Sequence, residues 1–191
     1  MLLIIDNQSQ YIRQFKRRYL DDRDIPHLIF EHNEQINFSK LPEISGLMIS
    51  GGKGNPYEPL NLTTNFVALM NLDVPTIGFC LGHEIIGVAW QAKIKRLRDY
   101  QNKKQLVNID VLDDPIFAGL GKSDFIIQKR HRYHLPAAPL GFVVLAHSDI
   151  CPVEVIRHFE KPIYGFQGHP EVSGKDGLLM VNNFIGMCGL L

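Results

Sequence analysis

The segment Gly78-Phe79-Cys80-Leu81-Gly82 places a cysteine between two glycines. In this Gly-x-nucleophile-x-Gly spacing, small residues permit a cramped strand-to-helix turn that lifts a nucleophile above a sheet edge. A helix starting behind Cys80 would present partial positive charge that favours a thiolate, and the Leu81 amide would point where an oxyanion forms. A thiolate also needs a base. Of the eight histidines, His169 has the best setting. It lies in Gln167-Gly168-His169-Pro170-Glu171, just past the apolar run Ile163 to Phe166, with the Glu171 carboxylate two residues on to hold the imidazole. Taken alone, a glycine-flanked cysteine is more often a small core residue. The two motifs together, each following a strand pattern, point to a Cys-His-Glu triad of Cys80, His169 and Glu171. Cys151 and Cys188 have no such setting and read as core.

Other spacings fail on chemistry. Gly46 to Gly54 lacks the Gly-Lys-Ser/Thr ending of a phosphate-binding loop, since Lys53 is followed by Gly54. His83-Glu84 opens like a zinc-protease helix, but the second histidine position is Gly87. His131 and His134 share a three-residue interval without a third ligand nearby. No nucleotide site and no metal site is readable in these spacings.

The elements that must carry these residues follow from periodicity. Short apolar runs alternate with amphipathic stretches, the pattern of a central, mostly parallel sheet flanked by helices. Strands are predicted at Leu2 to Asp6, Ile25 to Phe30, Gly46 to Ser50 and Pro75 to Phe79. Helices are predicted at Gln8 to Leu20, Asn61 to Leu72 and Gly82 to Gln91, with a loop at Gly51 to Pro56. Beyond Tyr100 the segments are β-rich (Gln105 to Leu112, Phe125 to Gln128, Gly141 to Ala146, Val153 to His158, Ile163 to Phe166), and Gly177 to Met187 reads as a closing helix. Cys80 thus falls at a strand-to-helix turn and His169 in a loop after a strand, where parallel sheets place their sites.

At 191 residues, 45% of them hydrophobic, the chain suits a single domain over 1–191. Twenty basic and twenty acidic residues give zero formal charge, so no overall field attracts nucleic acid or an anionic membrane. The apolar run Leu2 to Ile5 is too short for a signal peptide or a membrane span, which predicts a cytoplasmic protein. Three widely spaced cysteines do not make a disulfide framework. Lys93, Lys95, Arg96, Arg98, Lys103 and Lys104 concentrate positive charge beside the single acid Asp99. The plain reading is a solvated surface, and the sharper one is that this stretch or the Arg130 to His134 segment helps dock a partner subunit.

These motifs resemble the class I (triad) glutamine amidotransferases, a flavodoxin-like α/β fold with a nucleophile elbow, and within them the GMP synthase branch whose glutaminase is a separate subunit. The likeness spans nearly the whole chain. It is carried by Ile4-Ile5-Asp6-Asn7 with Gln10-Tyr11, by Ser50-Gly51-Gly52, by Gly78 to His83, by Pro115 to Leu120, by Cys151-Pro152-Val153-Glu154, and by Pro162 to Gln167 with His169-Pro170-Glu171. The resemblance implies that Cys80 attacks the carboxamide of L-glutamine and that amides at Gly52 and Leu81 hold the oxyanion, while His169, oriented by Glu171, moves protons. It also implies that the substrate lies against Gly52, Gly54, Leu81, Glu84, Arg130, His131, Arg132 and Tyr133. Ammonia would pass to a separate ATP-pyrophosphatase synthetase subunit that aminates XMP, and the resemblance implies that the glutaminase needs no metal and no organic cofactor.

The sequence departs from the family pattern in four places. Glu84 replaces a glutamine whose amide contacts substrate, and an ionised carboxylate cannot donate a hydrogen bond. Lys53 replaces a proline, Gly168 a phenylalanine, and Arg130-His131-Arg132-Tyr133 stands for Ser-His-x-Asp. Two other readings of the residues remain: a partner-independent Cys-His hydrolase of γ-glutamyl or other amides, and a non-catalytic binding module on the same fold.

Overall fold

Alternate side chains of the first strand enter two different cores. Leu2 and Ile4 pack with one set of buried residues, Leu3 and Ile5 with another, as the two-residue period of a strand buried on both faces requires. The structure, a computed structural model, describes residues 1–57 and 62–191. Its strands are β1 (Leu2–Asn7), β2 (His27–Glu31), β3 (Gly46–Gly52), β4 (Thr76–Phe79), β5 (Lys95–Gln101), β6 (Lys104–Ile109), β7 (Asp124–Gln128), β8 (His131–His134), β9 (Phe142–His147), β10 (Val155–His158) and β11 (Ile163–Phe166). Among the described residues the helices are α1 (Ile12–Phe15), continued by a π-helical turn at Lys16–Leu20, α2 (Thr63–Asn71), α3 (Leu81–Ala89) and α4 (Gly174–Met187). The main sheet runs β2-β1-β3-β4-β11-β10-β9-β6-β7. It is parallel from β2 through β11 and antiparallel from there to β7. Phe15 and Tyr19 of the first helical segment and Met180 and Phe184 of α4 cover one face. Ala68 of α2 and Ile85 and Ile86 of α3 cover the other.

Three differences from the sequence-based expectations have local causes. The first helix starts at Ile12, not Gln8. The Asp6 carboxylate accepts the Ser9 N–H at 2.9 Å, the Ser9 hydroxyl accepts the Tyr11 N–H at 3.2 Å, and Gln8 takes a positive φ of 62°, so side chains hold this stretch as a turn. The six basic residues of the stretch are exposed, as a solvated surface requires, but part of it forms a strand that was not expected: β5 pairs antiparallel with β8 in a separate two-stranded sheet. Neither strand alternates clearly, because β5 is exposed along most of its length. The helix predicted from Asn61 begins at Thr63, and Asn61 itself lies outside the described residues.

Candidate active site

Cys80 sits between β4 and α3 with φ 51° and ψ −105°, a positive-φ conformation that costs a non-glycine residue roughly 1–3 kcal/mol and recurs at functional sites. The flanking glycines make the turn possible. A Cβ on Gly78 would lie 2.6 Å from the Gly82 backbone, and a Cβ on Gly82 would strike the Ile49 carbonyl oxygen of β3. The turn is tied at both ends: the Cys80 N–H donates to the Phe166 carbonyl at 2.8 Å, and the Cys80 carbonyl accepts the Glu84 N–H at 3.1 Å.

β11 lies beside β4 in parallel register, Phe166 opposite Phe79, so both strands deliver their following loops to the same edge. There the His169 ring and the Cys80 side chain line one cavity, close enough for the sulfur to act electrostatically on the imidazole. Its Nδ1 donates to Glu171 Oε1 at 2.8 Å. Gly51 backs the pair, since a Cβ there would meet His169 Cε1 at 2.9 Å and Cys80 Cβ at 3.5 Å. The Tyr11 ring packs edge-on against the imidazole with centroids 4.8 Å apart, and the Tyr19 hydroxyl donates to the Glu171 carbonyl at 3.2 Å. Burial alone would lower the His169 pKa. The negative charge of Glu171, the sulfur of Cys80 and the hydrogen bond to Glu171 outweigh it and hold the imidazole well above its ordinary value.

A cavity of about 470 Å3 opens over this group. Gly52, Gly54, Leu81, Glu84, Arg130, His131, Arg132 and Tyr133 all line it beside Cys80 and His169, and Glu171 stands behind the imidazole. Gly52 has no room for a side chain: a Cβ would strike the Asn7 carbonyl oxygen and lie 2.9 Å from Leu81 Cδ2. Gln8, Ser9, Gln10, Tyr11, Lys53 and Tyr100 complete the wall, and sequence reasoning did not identify them as wall residues. A signal for Gln8 to Tyr11 exists, because they follow the carboxyl end of a parallel strand. Tyr100 has none; it arrives through the β5–β8 pairing, and the Arg132 guanidinium lies 5.8 Å from its ring centroid. Among the described residues no cluster of three or more His, Cys, Asp or Glu has the geometry of a metal site. None of their helices is long and apolar enough to cross a membrane.

A family model, glutamine amidotransferase class-I, matches residues 3–187. The chain belongs to this family. It is 35% identical to a glutamine-hydrolyzing GMP synthase subunit of Methanococcus aeolicus, covering 100% of this chain and 99% of the relative. It is 33% identical to the subunit of the same name from Thermococcus kodakarensis, over 100% of both chains. A Thermoplasma acidophilum protein crystallised as a candidate for the same GMP synthase subunit superposes with a TM-score of 0.84 at 27% identity, over 98% of this chain and 93% of that one. A Thermotoga maritima glutamine amidotransferase shares the fold with a TM-score of 0.73 at 15% identity, over 99% and 93%.

Two departures of this amidotransferase are now located. Glu84 is buried in the cavity wall, where the Gln167 side-chain NH2 donates to its Oε1 at 3.1 Å. At Gly168 the space of a side chain is taken by Ile127, whose Cδ1, Cγ1 and Cγ2 would lie 2.7, 2.8 and 3.0 Å from a Cβ. His83, which is buried and not among the lining residues, and His131 in the cavity wall are both pushed down to about 3, by burial first and by the charge of Lys129 next, and so stay neutral. The Cys151 and Cys188 thiols are buried and pushed up to about 12 by desolvation, which keeps them unreactive.

Proposed function

We propose that this chain is the glutaminase component of a two-subunit GMP synthase, hydrolysing L-glutamine through Cys80, His169 and Glu171. One observation carries the reading: a strained cysteine at a strand-to-helix turn shares a cavity wall with an imidazole whose Nδ1 is held by a carboxylate at 2.8 Å. The Cys80 thiol gives its proton to His169 Nε2, and the sulfur adds to the side-chain carbonyl carbon of glutamine. The oxygen takes up negative charge against the amides of Gly52 and Leu81, each such donor supplying roughly 3 kcal/mol of transition-state stabilisation. His169 Nε2 gives its proton to the amide nitrogen, the C–N bond breaks and ammonia leaves a γ-glutamyl thioester. Water then attacks the thioester carbonyl and yields a proton to His169, the C–S bond breaks, and glutamate is released. Glu171 fixes the ring throughout, with Nδ1 as donor.

The ammonia serves a separate ATP-pyrophosphatase synthetase that aminates XMP. The relatives are named as one subunit of GMP synthase, which supports the existence of a second. The exposed β5, bearing Lys95, Arg96 and Arg98 and paired to the β8 wall of the cavity, suits a docking face for it. The test is ammonia release from glutamine by wild type and Cys80→Ser, with and without the synthetase. Turnover stimulated by the synthetase and abolished by Cys80→Ser is expected. Cleavage of γ-glutamyl peptides faster than glutamine, indifferent to the synthetase, would overturn it.

A further inference from the structure

Gln128, the last residue of β7, and Arg130, in the link to β8, each touch one member of the nucleophile–base pair. The Gln128 carbonyl accepts the His169 N–H at 2.9 Å, and the Arg130 carbonyl lies 3.7 Å from Cys80 Sγ. Between them, Lys129 turns inward. It is 1% exposed, and its Nζ forms an ion pair with the equally buried Glu154. Glu154 is itself held: its Oε1 accepts the Ser148 hydroxyl at 2.6 Å, and its carbonyl accepts the Gln167 N–H at 2.8 Å, two residues before His169. The Lys129 backbone is pinned as well, its N–H to the Lys103 carbonyl at 2.8 Å and its carbonyl by the Gln128 side-chain NH2 at 2.7 Å.

A buried ion pair is a poor source of stability, because desolvation offsets the attraction and apolar residues of similar volume often serve as well or better. It does fix direction, since a buried lysine has few places to put its charge. We propose that the Lys129–Glu154 ion pair is a positioning element for Cys80 and His169, pinning residue 129 from inside so that the carbonyls on either side of it hold the base and the nucleophile in register. This deepens the glutaminase reading and rests on it. The Lys129 charge has a second effect that agrees with the role. It faces His83 and His131 and, after burial, is the largest influence keeping both neutral. His169, facing Glu171 and Cys80, then remains the imidazole that carries the proton.

The test compares wild type with Lys129→Met and with Lys129→Met/Glu154→Gln. The double variant leaves no unpaired buried charge, and the amide oxygen it places at position 154 can still accept the Ser148 hydroxyl. Cys80 alkylation by iodoacetamide is followed against pH, with Cys80→Ser as background, alongside kcat and KM for glutamine. In the folded double variant, alkylation at neutral pH should slow about tenfold, and its acid limb should move up by about one pH unit, because a displaced imidazole stabilises the thiolate less. The kcat should fall about tenfold with KM within twofold. A folded double variant with the wild-type alkylation profile and kcat, whatever its melting temperature, overturns the proposal. So does a double variant that cannot fold, since the pair would then be a requirement of the fold. An alkylation profile that shifts in a protein unable to hydrolyse glutamine would sink the glutaminase reading and leave the positioning role standing.

Discussion

His169 Nδ1 and Glu171 Oε1 meet at 2.8 Å across a single proline. Pro170 fixes the backbone between them at the start of a short 3-10 turn, so carboxylate and imidazole are held together by local chain geometry. The contact sets the tautomer: with its proton on Nδ1 directed at Glu171, the ring presents Nε2 to Cys80. Glu171→Gln removes the counter-charge and allows the amide to present a donor where an acceptor is needed. Glutamine turnover should fall roughly 10²–10⁴-fold with KM little changed. Steady-state kinetics decide, and a loss under fivefold would argue against a catalytic role for Glu171.

Glu84 Oε1 accepts from Gln167, a contact that a glutamine at position 84 would preserve through its own carbonyl oxygen. Glu84→Gln therefore leaves the wall in place and adds a donor where the carboxylate had none. KM for glutamine should drop several-fold, by about the 1 kcal/mol of one hydrogen bond, with kcat within twofold. A rise in KM would show instead that the carboxylate holds the substrate's ammonium group.

Gly168 and Ile127 compete for one volume. Gly168→Ala puts a Cβ within 2.7 to 3.0 Å of three Ile127 carbons, an overpacking that should cost about 1–3 kcal/mol. Ile127→Ala in the same chain should recover most of that loss relative to Ile127→Ala alone. Urea denaturation of the four proteins measures the coupling, and additive effects would contradict it.

Much of the site was legible because its signals are local. The two glycines around Cys80 state the turn they must make, and Glu171 follows His169 closely enough that the pair reads directly from the sequence. The buried strands were legible for the same reason: Leu2 to Ile5 and Ile163 to Phe166 are continuous apolar runs. The β5–β8 sheet was not. Its stability comes from a partner about 35 positions away, with register shifts between Arg96 and Gln101, and an exposed basic strand carries no apolar period to betray it. Lys129 was invisible on the same grounds, since a lysine in a sequence reads as surface until Glu154 is found beside it.

β5 also carries a prediction about association. Lys95 and Arg96 are exposed on a strand whose partner, β8, lines the cavity. Reversing both to glutamate should weaken synthetase binding at least about tenfold at low salt, mainly through slower association, and the difference should shrink as salt screens the charges. Surface plasmon resonance across a salt series tests this. Unchanged binding at low salt would assign the docking face elsewhere.

The buried histidines make stability depend on pH in a direction that can be worked out. His83 is held neutral, its pKa pushed from 6.5 to about 3 by burial and then by Lys129. Between those values the unfolded chain binds a proton that the folded chain refuses, so stability is lost as pH falls from 6.5 towards 3. His169 works the other way: its pKa is raised, so its contribution is complete below 6.5 and declines only as pH rises through the folded value. The acid loss therefore belongs to the neutral histidines, at about 1.4 kcal/mol per pH unit for each. Going from pH 7 to pH 5, His83→Asn should lose about 2 kcal/mol less stability than wild type, whatever its stability at pH 7. Urea midpoints at the two pH values give the comparison. Equal losses in both proteins would mean that His83 is already protonated in the folded state at pH 5 or solvated well enough to titrate normally.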